Sequence, residues 1–176
     1  MKFILFIFLL SNLLLSNSTI DRKGLFFDIG IGAGYNLYQN YNNNGNLNLA
    51  GKVGYGFNNQ LIAFIDYPTL YSEITINSDT KDFDNDILML GIRYLLYNKN
   101  TPYFAFSIGK DFAKLNGYNS TNNFGESWSI ESGYEFDSKK SWYMGIKYIE
   151  TNNNQINFKS INFVIGVNIY KAFGIQ

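Results

Sequence analysis

The chain has 176 residues, with 14 Lys and Arg against 14 Asp and Glu, and it contains neither Cys nor His. These counts exclude a disulfide framework, thiolate or imidazole metal sites, His-based catalytic pairs and the basic footprint of a nucleic-acid-binding domain. Aromatic residues make up 18% of the chain, yet the mean hydropathy is only −0.13, which excludes a helical membrane protein. We expect one domain, without a cofactor or a metal.

Residues 1–18 have the pattern of a cleaved secretory signal peptide. Lys2 gives the charged start, residues 3–15 are mainly apolar, and small Ser16 and Ser18 precede a possible cleavage site. The apolar run is shorter than the ~20 residues that a membrane anchor helix needs. The mature chain is therefore expected over residues 19–176, as a single domain.

The mature chain then alternates apolar and polar residues with the period of two that is typical of β-strands with unlike faces. One parity is aliphatic and aromatic, and the other carries Gly, Ser, Asn and charges. In the first strand the glycines are spaced G-x-G-x-G with no helix after them, so they do not form a dinucleotide-binding loop. The eight predicted strands cover residues 25–38, 47–57, 61–76, 86–97, 103–114, 126–136, 141–150 and 156–173.

The third strand is the irregular one. Its apolar residues change parity after Pro68, where Leu70, Ile74 and Ile76 follow. A proline cannot donate a hydrogen bond to the ladder, so we expect a bulge or an edge there, with the strand projecting beyond the membrane. Residues 77–85 are expected to close a long acidic loop.

The connections alternate in length. Those after strands 2, 4 and 6 are short, while those after strands 1, 3 and 5 are longer. Transmembrane barrels have short periplasmic turns and longer outside loops, so both termini are expected in the periplasm. Aromatic residues near the two sets of connections predict two girdles, formed by Phe57, Tyr97, Tyr103, Phe136, Trp142 and Phe173 near the short turns, and by Tyr38, Tyr67, Phe112 and Tyr148 near the long loops.

Over nearly its whole mature length this pattern resembles the small eight-stranded outer-membrane proteins typified by OmpX and the transmembrane domain of OmpA. Residues 168–173, which end in Phe173, are similar to the family's aromatic-ended last strand. The resemblance implies an all-β, antiparallel, up-and-down transmembrane barrel that the outer-membrane assembly machinery inserts. It also implies contact with outer-membrane lipids and lipopolysaccharide, a monomer, and a structural, adhesive or host-interacting role.

Five charges on the inward parity recur at similar height: Lys52, Asp66, Arg93, Glu131 and Lys147. If the hairpin turns preserve parity, Lys52 faces Asp66 and Glu131 faces Lys147. A catalytic carboxylate or an ion path is one interpretation. A structural plug is favoured, because eight strands leave room only for side chains and the interior charges must then pair.

The second outside loop combines strand-forming residues with an acidic tip. Tyr71, Ile74 and Ile76 form either a projecting edge for another protein or a patch that packs on neighbouring loops. The remaining candidates are acidic: Asp79, Asp82 and Asp84. The Asp run lacks the glycine and distal glutamate of a calcium loop, so a solvated acidic loop is favoured over a metal site.

These observations predict a non-enzymatic outer-membrane barrel with a structural or surface-interaction role and a closed lumen. Two alternatives remain. One is a lipid-modifying barrel enzyme with Ser127 or Ser129 near Glu131. The other is a soluble, secreted ligand-binding barrel with the apolar parity inside.

Overall fold

A computed structural model describes residues 21–38, 44–76, 79–115, 125–136, 141–152 and 157–170, so the predicted signal peptide and Phe173 lie outside the described residues. Each strand pairs antiparallel with the next, and β8 pairs with β1 to close a barrel. This confirms the predicted fold class. The strands are β1 (Gly24–Tyr38), β2 (Asn44–Gly56), β3 (Leu61–Ile76), β4 (Asp79–Leu95), β5 (Thr101–Leu115), β6 (Gly125–Phe136), β7 (Ser141–Asn152) and β8 (Phe158–Tyr170).

The apolar parity faces outward on all eight strands. Because side chains alternate across a strand, one set of residues forms a continuous outer belt and the other fills the lumen. A belt of this extent would be unstable against water, so the soluble barrel with an apolar interior is contradicted. One exposed residue from each strand illustrates the belt: Ile29, Leu49, Ile65, Leu90, Ile108, Ile130, Ile146 and Phe163.

Among the residues that the structure describes, no helix is long and apolar enough to cross a bilayer.

The β3–β4 hairpin differs from the predicted acidic loop. The β4 strand begins at Asp79, so Asp79, Asp82 and Asp84 lie in a strand and only residues 77–78 separate it from β3. Asp and Asn are poor strand formers, and this low propensity led to the prediction of a loop. The two strands nevertheless pair out to Ile76 and Asp79.

The predicted bulge at Pro68 is also wrong. The β3–β4 ladder skips Tyr67 and Pro68 and then resumes in the same register, so no extra residue is inserted. Pro68 remains opposite Ala50 of β2. The apolar residues change parity for another reason. Leu70 lies on the inward parity of β3, and it is fully buried in the lumen.

The hairpin projects beyond its neighbouring strands. Pairing of β2 with β3 ends at Ser72, and pairing of β5 with β4 starts at Phe83. Beyond those points, residues 73–76 and 79–82 pair with each other, and with no other strand that the structure describes. We call this segment the projecting hairpin, and we call the two ends of the barrel the hairpin end and the short-turn end.

One of the predicted girdle residues lies inside the barrel. Tyr103 is fully buried, because it shares the inward parity of β5 with Ala105. The girdle prediction holds for Phe57, Tyr97 and Trp142, whose side chains are exposed near the short turns. Their outward parity distinguishes them from Tyr103.

Both apolar and charged side chains fill the lumen. Toward the short-turn end lies an apolar cluster of Phe26, Ile62, Phe64, Leu95, Tyr103, Ala105 and Tyr143. Toward the hairpin end, the rings of Phe83 and Phe158 pack edge to face, with centroids 5.7 Å apart. Charged side chains lie among these rings, since the Arg93 guanidinium is within 6.0 Å of the ring centroids of Phe26, Phe64, Tyr103 and Tyr143.

Candidate functional site

The five predicted inward charges lie together in the lumen. Each is at most 2% exposed, and they come from β2, β3, β4, β6 and β7. A sixth charge, Asp28 of β1, joins them and is directly opposite Lys52 in the β1–β2 ladder. Three cations and three carboxylates therefore meet in one buried cluster, which we call the lumen network.

Two cations and two carboxylates alternate at its centre. The Arg93 Nη2 atom lies 2.9 Å from Asp28 Oδ2 and 3.8 Å from Glu131 Oε1. The Lys52 Nζ atom lies 2.9 Å from Glu131 Oε2 and 3.5 Å from Asp28 Oδ2. Each charge thus faces two of opposite sign, which offsets the cost of removing them from water.

The residues predicted to face each other are indeed opposite each other on neighbouring strands. They do not form ion pairs with each other, because each lysine instead reaches a carboxylate on the far side of the lumen. Lys52 is opposite Asp66, and Glu131 is opposite Lys147. The Lys52 ammonium nevertheless reaches Glu131, and the Lys147 ammonium donates to Asp66. The ion pairs therefore connect the β2–β3 wall with the β6–β7 wall through the interior.

Aromatic side chains complete the network. The Arg93 guanidinium carbon lies 4.7 Å from the ring centroid of Tyr103 and 5.3 Å from that of Tyr143, within the range of a cation–π contact. The Tyr103 hydroxyl donates to Glu131 Oε1 at 2.6 Å, and the Tyr143 hydroxyl donates to Asp28 Oδ1 at 2.8 Å. Both carboxylates are thereby held by a tyrosine as well as by cations.

A second buried ion pair lies at the short-turn end. Arg22 Nε donates to Glu135 Oε1 at 2.8 Å, and both side chains are fully buried. Glu135 and Asp28 could have been identified from the sequence as lumen residues, because both lie on the inward parity of their strands. Arg22 precedes β1, where no periodicity exists to place it.

The carboxylate proposed for catalysis, Glu131, is occupied by partners within the lumen network. Both oxygens of Glu131 are engaged, one by Tyr103 and the other by Lys52. The Ser127 hydroxyl lies 3.1 Å from that of Thr151, and both Ser127 and Ser129 are buried. Across the described part of the chain, no group of three or more acidic residues is arranged to hold a metal ion.

The projecting hairpin carries charge on its outer faces. Glu73 and Asp82 are directly opposite each other and both are exposed. Tyr71, 42% exposed, is opposite Asp84. Like charges directly opposite each other destabilise a strand pair, so the Glu73–Asp82 position would gain stability from a cationic partner.

No protein-family model and no curated protein matches this chain. Its fold is that of small outer-membrane β-barrels in solved structures. Neisserial surface protein A superposes with a TM-score of 0.70 at 14% identity, covering 84% of this chain and 97% of that chain. Ail of Yersinia pestis gives a TM-score of 0.53 at 15% identity, with 84% and 99% covered. The outer membrane protein OprG of Pseudomonas aeruginosa gives 0.52 at 11%, with 85% and 97% covered.

At these identities the likeness is one of fold. The closed eight-stranded barrel and its apolar outer belt define a transmembrane β-barrel of the outer-membrane type. A further Ail structure, with a TM-score of 0.54, was solved in complex with the heparin analogue sucrose octasulfate.

Proposed function

We propose that this chain is an integral outer-membrane protein whose lumen is closed by its ionic network and whose activity resides on its surface. The observation that carries the proposal is that three cations and three carboxylates pair inside a barrel too narrow for an open channel. The short turns and both termini face the periplasm, and the projecting hairpin faces outward. The protein is a monomer and not an enzyme, is inserted by the assembly machinery, and contacts lipid and lipopolysaccharide.

We expect the purified barrel not to conduct ions appreciably in planar bilayers. To pass through the lumen, an ion would have to break the contacts of buried groups such as Arg93 and Glu131. Few water molecules are present there to replace those contacts, so passage would be costly. A general porin incorporated under the same conditions serves as the positive control. Large, steady conductance steps from the monomer would show that the lumen is open.

The projecting hairpin is the proposed contact region. Lipid fixes the outer belt and packing fixes the lumen, so specificity is free to reside in the outer connections. Residues 72–86, which include the projecting hairpin and the strand residues next to it, contain five acidic residues and one lysine. Paired strands that extend past both neighbours also offer backbone groups to an added strand. We infer an extended, cationic polypeptide as the partner, and not a polyanion of the kind present in the Ail complex.

Shortening the hairpin should abolish partner binding and leave the barrel folded. The suitable variant replaces residues 73–82 with a short Gly-Ser turn, which removes the whole projecting hairpin, including Glu73, Asp79 and Asp82. Replacing residues 72–84 would also remove Phe83, which packs in the lumen against Phe158. Binding of nanodisc-embedded protein to immobilised cationic host proteins measures the loss. Unchanged heat-modifiable gel mobility shows that the barrel still forms.

A matched variant separates this region from the other outer connections. It replaces residues 116–123, between β5 and β6, with the same Gly-Ser turn. We expect this variant to bind as the wild type does. If binding survives the 73–82 change and is lost with the 116–123 change, the contact lies in the β5–β6 connection and the assignment to the projecting hairpin is wrong.

A further inference from the structure

The chain before β1 folds into the barrel mouth at the short-turn end. Gly24 has a φ of 103°, a left-handed conformation that favours glycine, and it turns the chain from residues 21–23 into β1. A Cβ atom on Gly56 would meet the carbonyl oxygen of Arg22 far inside contact distance. Two glycines therefore permit this close approach of the segment to the wall.

Arg22 is held there by two of the short turns. Its backbone N–H donates to Asn59 Oδ1 at 3.0 Å, and its Nη1 donates to the Asn59 carbonyl at 3.3 Å. The same Nη1 also donates to the Asn98 carbonyl at 3.1 Å. The guanidinium is thus fixed between the β2–β3 and β4–β5 turns, with its remaining face toward Glu135.

Glu135 joins this segment to the last strand. Its Oε1 accepts from Arg22, and its Oε2 accepts from Asn168 Nδ2 and from the Tyr170 hydroxyl, each at 2.8 Å. Both Asn168 and Tyr170 belong to β8. One buried carboxylate therefore binds both the segment that leads into β1 and the strand that closes against β1.

The β1–β8 seam is the place where such a connection matters. It is the only strand pair of the barrel whose members are not joined by a connection of the chain, and its described ladder ends at the Phe26–Tyr170 pair. Backbone pairing alone would let this end fray. Asn168 also accepts from Arg93 through Oδ1 at 3.0 Å, which links the seam to the lumen network.

We propose that Arg22 and Glu135 form a latch that holds the β1–β8 seam closed at the short-turn end. The latch is independent of the surface role, because none of its residues lies at the hairpin end. Residues 21–23, which precede the first strand, thereby help to close the barrel. The hydrogen bonds between Arg22 and Glu135 are charge-assisted, and both side chains are fully buried. Such bonds are strong and directional, which suits them to hold two segments together.

The test is amide hydrogen exchange of the folded barrel in nanodiscs, with Arg22→Met compared with wild type. Seam amides near Phe26 and Ile169 should exchange faster by about ten-fold or more, since the seam opens locally. Amides of the β4–β5 pair around Leu90 and Ile108, on the opposite wall, should keep their wild-type rates.

Lys23→Met is the matched control, because Lys23 is the exposed neighbour of Arg22 and its change should move neither set of amides. If Arg22→Met does not fold, Arg22→Lys keeps the charge without the two-pronged contact and should give a smaller acceleration at the seam. Seam rates equal to wild type, or an equal acceleration of both walls, would overturn the latch.

Discussion

Replacing Arg93 with Met should lower the free energy of unfolding by about 3–5 kcal/mol, the usual cost of removing one partner of a buried ion pair. The change leaves Asp28 and Glu131 inside the lumen with one fewer cation. It also removes the guanidinium that lies against the rings of Tyr103 and Tyr143. The loss is a consequence of burial, because water cannot replace the missing charge.

Urea unfolding in lipid bilayers measures this effect. The control is Lys110→Met, which removes an ion pair with Glu126 whose side chains are 54% and 84% exposed. Exposed pairs contribute only about 0–1 kcal/mol, so this variant should remain near wild type. Adding Asp28→Asn to Arg93→Met should recover part of the loss. Equal stability of Arg93→Met and the control would show that the lumen network is hydrated and weak.

The strand pattern could be predicted from the sequence because lipid and lumen impose opposite demands on alternate residues. That constraint extends along every strand, so parity alone placed Lys52, Asp66, Arg93, Glu131 and Lys147 inside. It also gave the correct register neighbours for Lys52 and Glu131. A shift of one residue would move every charge into lipid, which leaves few alternatives.

The ion-pair partners could not be predicted in the same way. Cross-strand register describes neighbours along the wall, whereas Lys52 and Lys147 reach carboxylates across the lumen. Which carboxylate each reaches depends on barrel diameter, on strand stagger and on the aromatic rings between them. Tyr103 shows the same limit, because its position near a short turn suggested a girdle and its hydroxyl instead binds Glu131.

The first residues of β4 and the role of Arg22 were missed for a different reason. Local propensity argues against a strand through Asp79 and Asp82, but pairing with β3 overrides it. Arg22 lies before any periodic segment, and only the closed barrel brings it to Glu135, 113 residues away along the chain. Both features depend on contacts that exist only in the assembled sheet.

Reversing the Asp66–Lys147 pair tests whether the lumen charges act as pairs or as one network. The double variant Asp66→Lys with Lys147→Asp keeps a cation and an anion at the two positions. It should nevertheless be less stable than wild type by about 3–5 kcal/mol, because the introduced lysine would lie opposite Lys52 and the introduced aspartate opposite Glu131.

The comparison variant removes both charges through Asp66→Asn with Lys147→Met. Replacing a buried pair by neutral groups of similar volume is often near neutral, so this variant should stay within about 2 kcal/mol of wild type. The ordering of the two variants is therefore the decisive result, and urea midpoints in bilayers measure it. A reversed pair as stable as wild type would mean that Lys147 and Asp66 interact only with each other. The expected ordering would mean that the signs of the charges at positions 66 and 147 are set by their neighbours Lys52 and Glu131 as well as by each other.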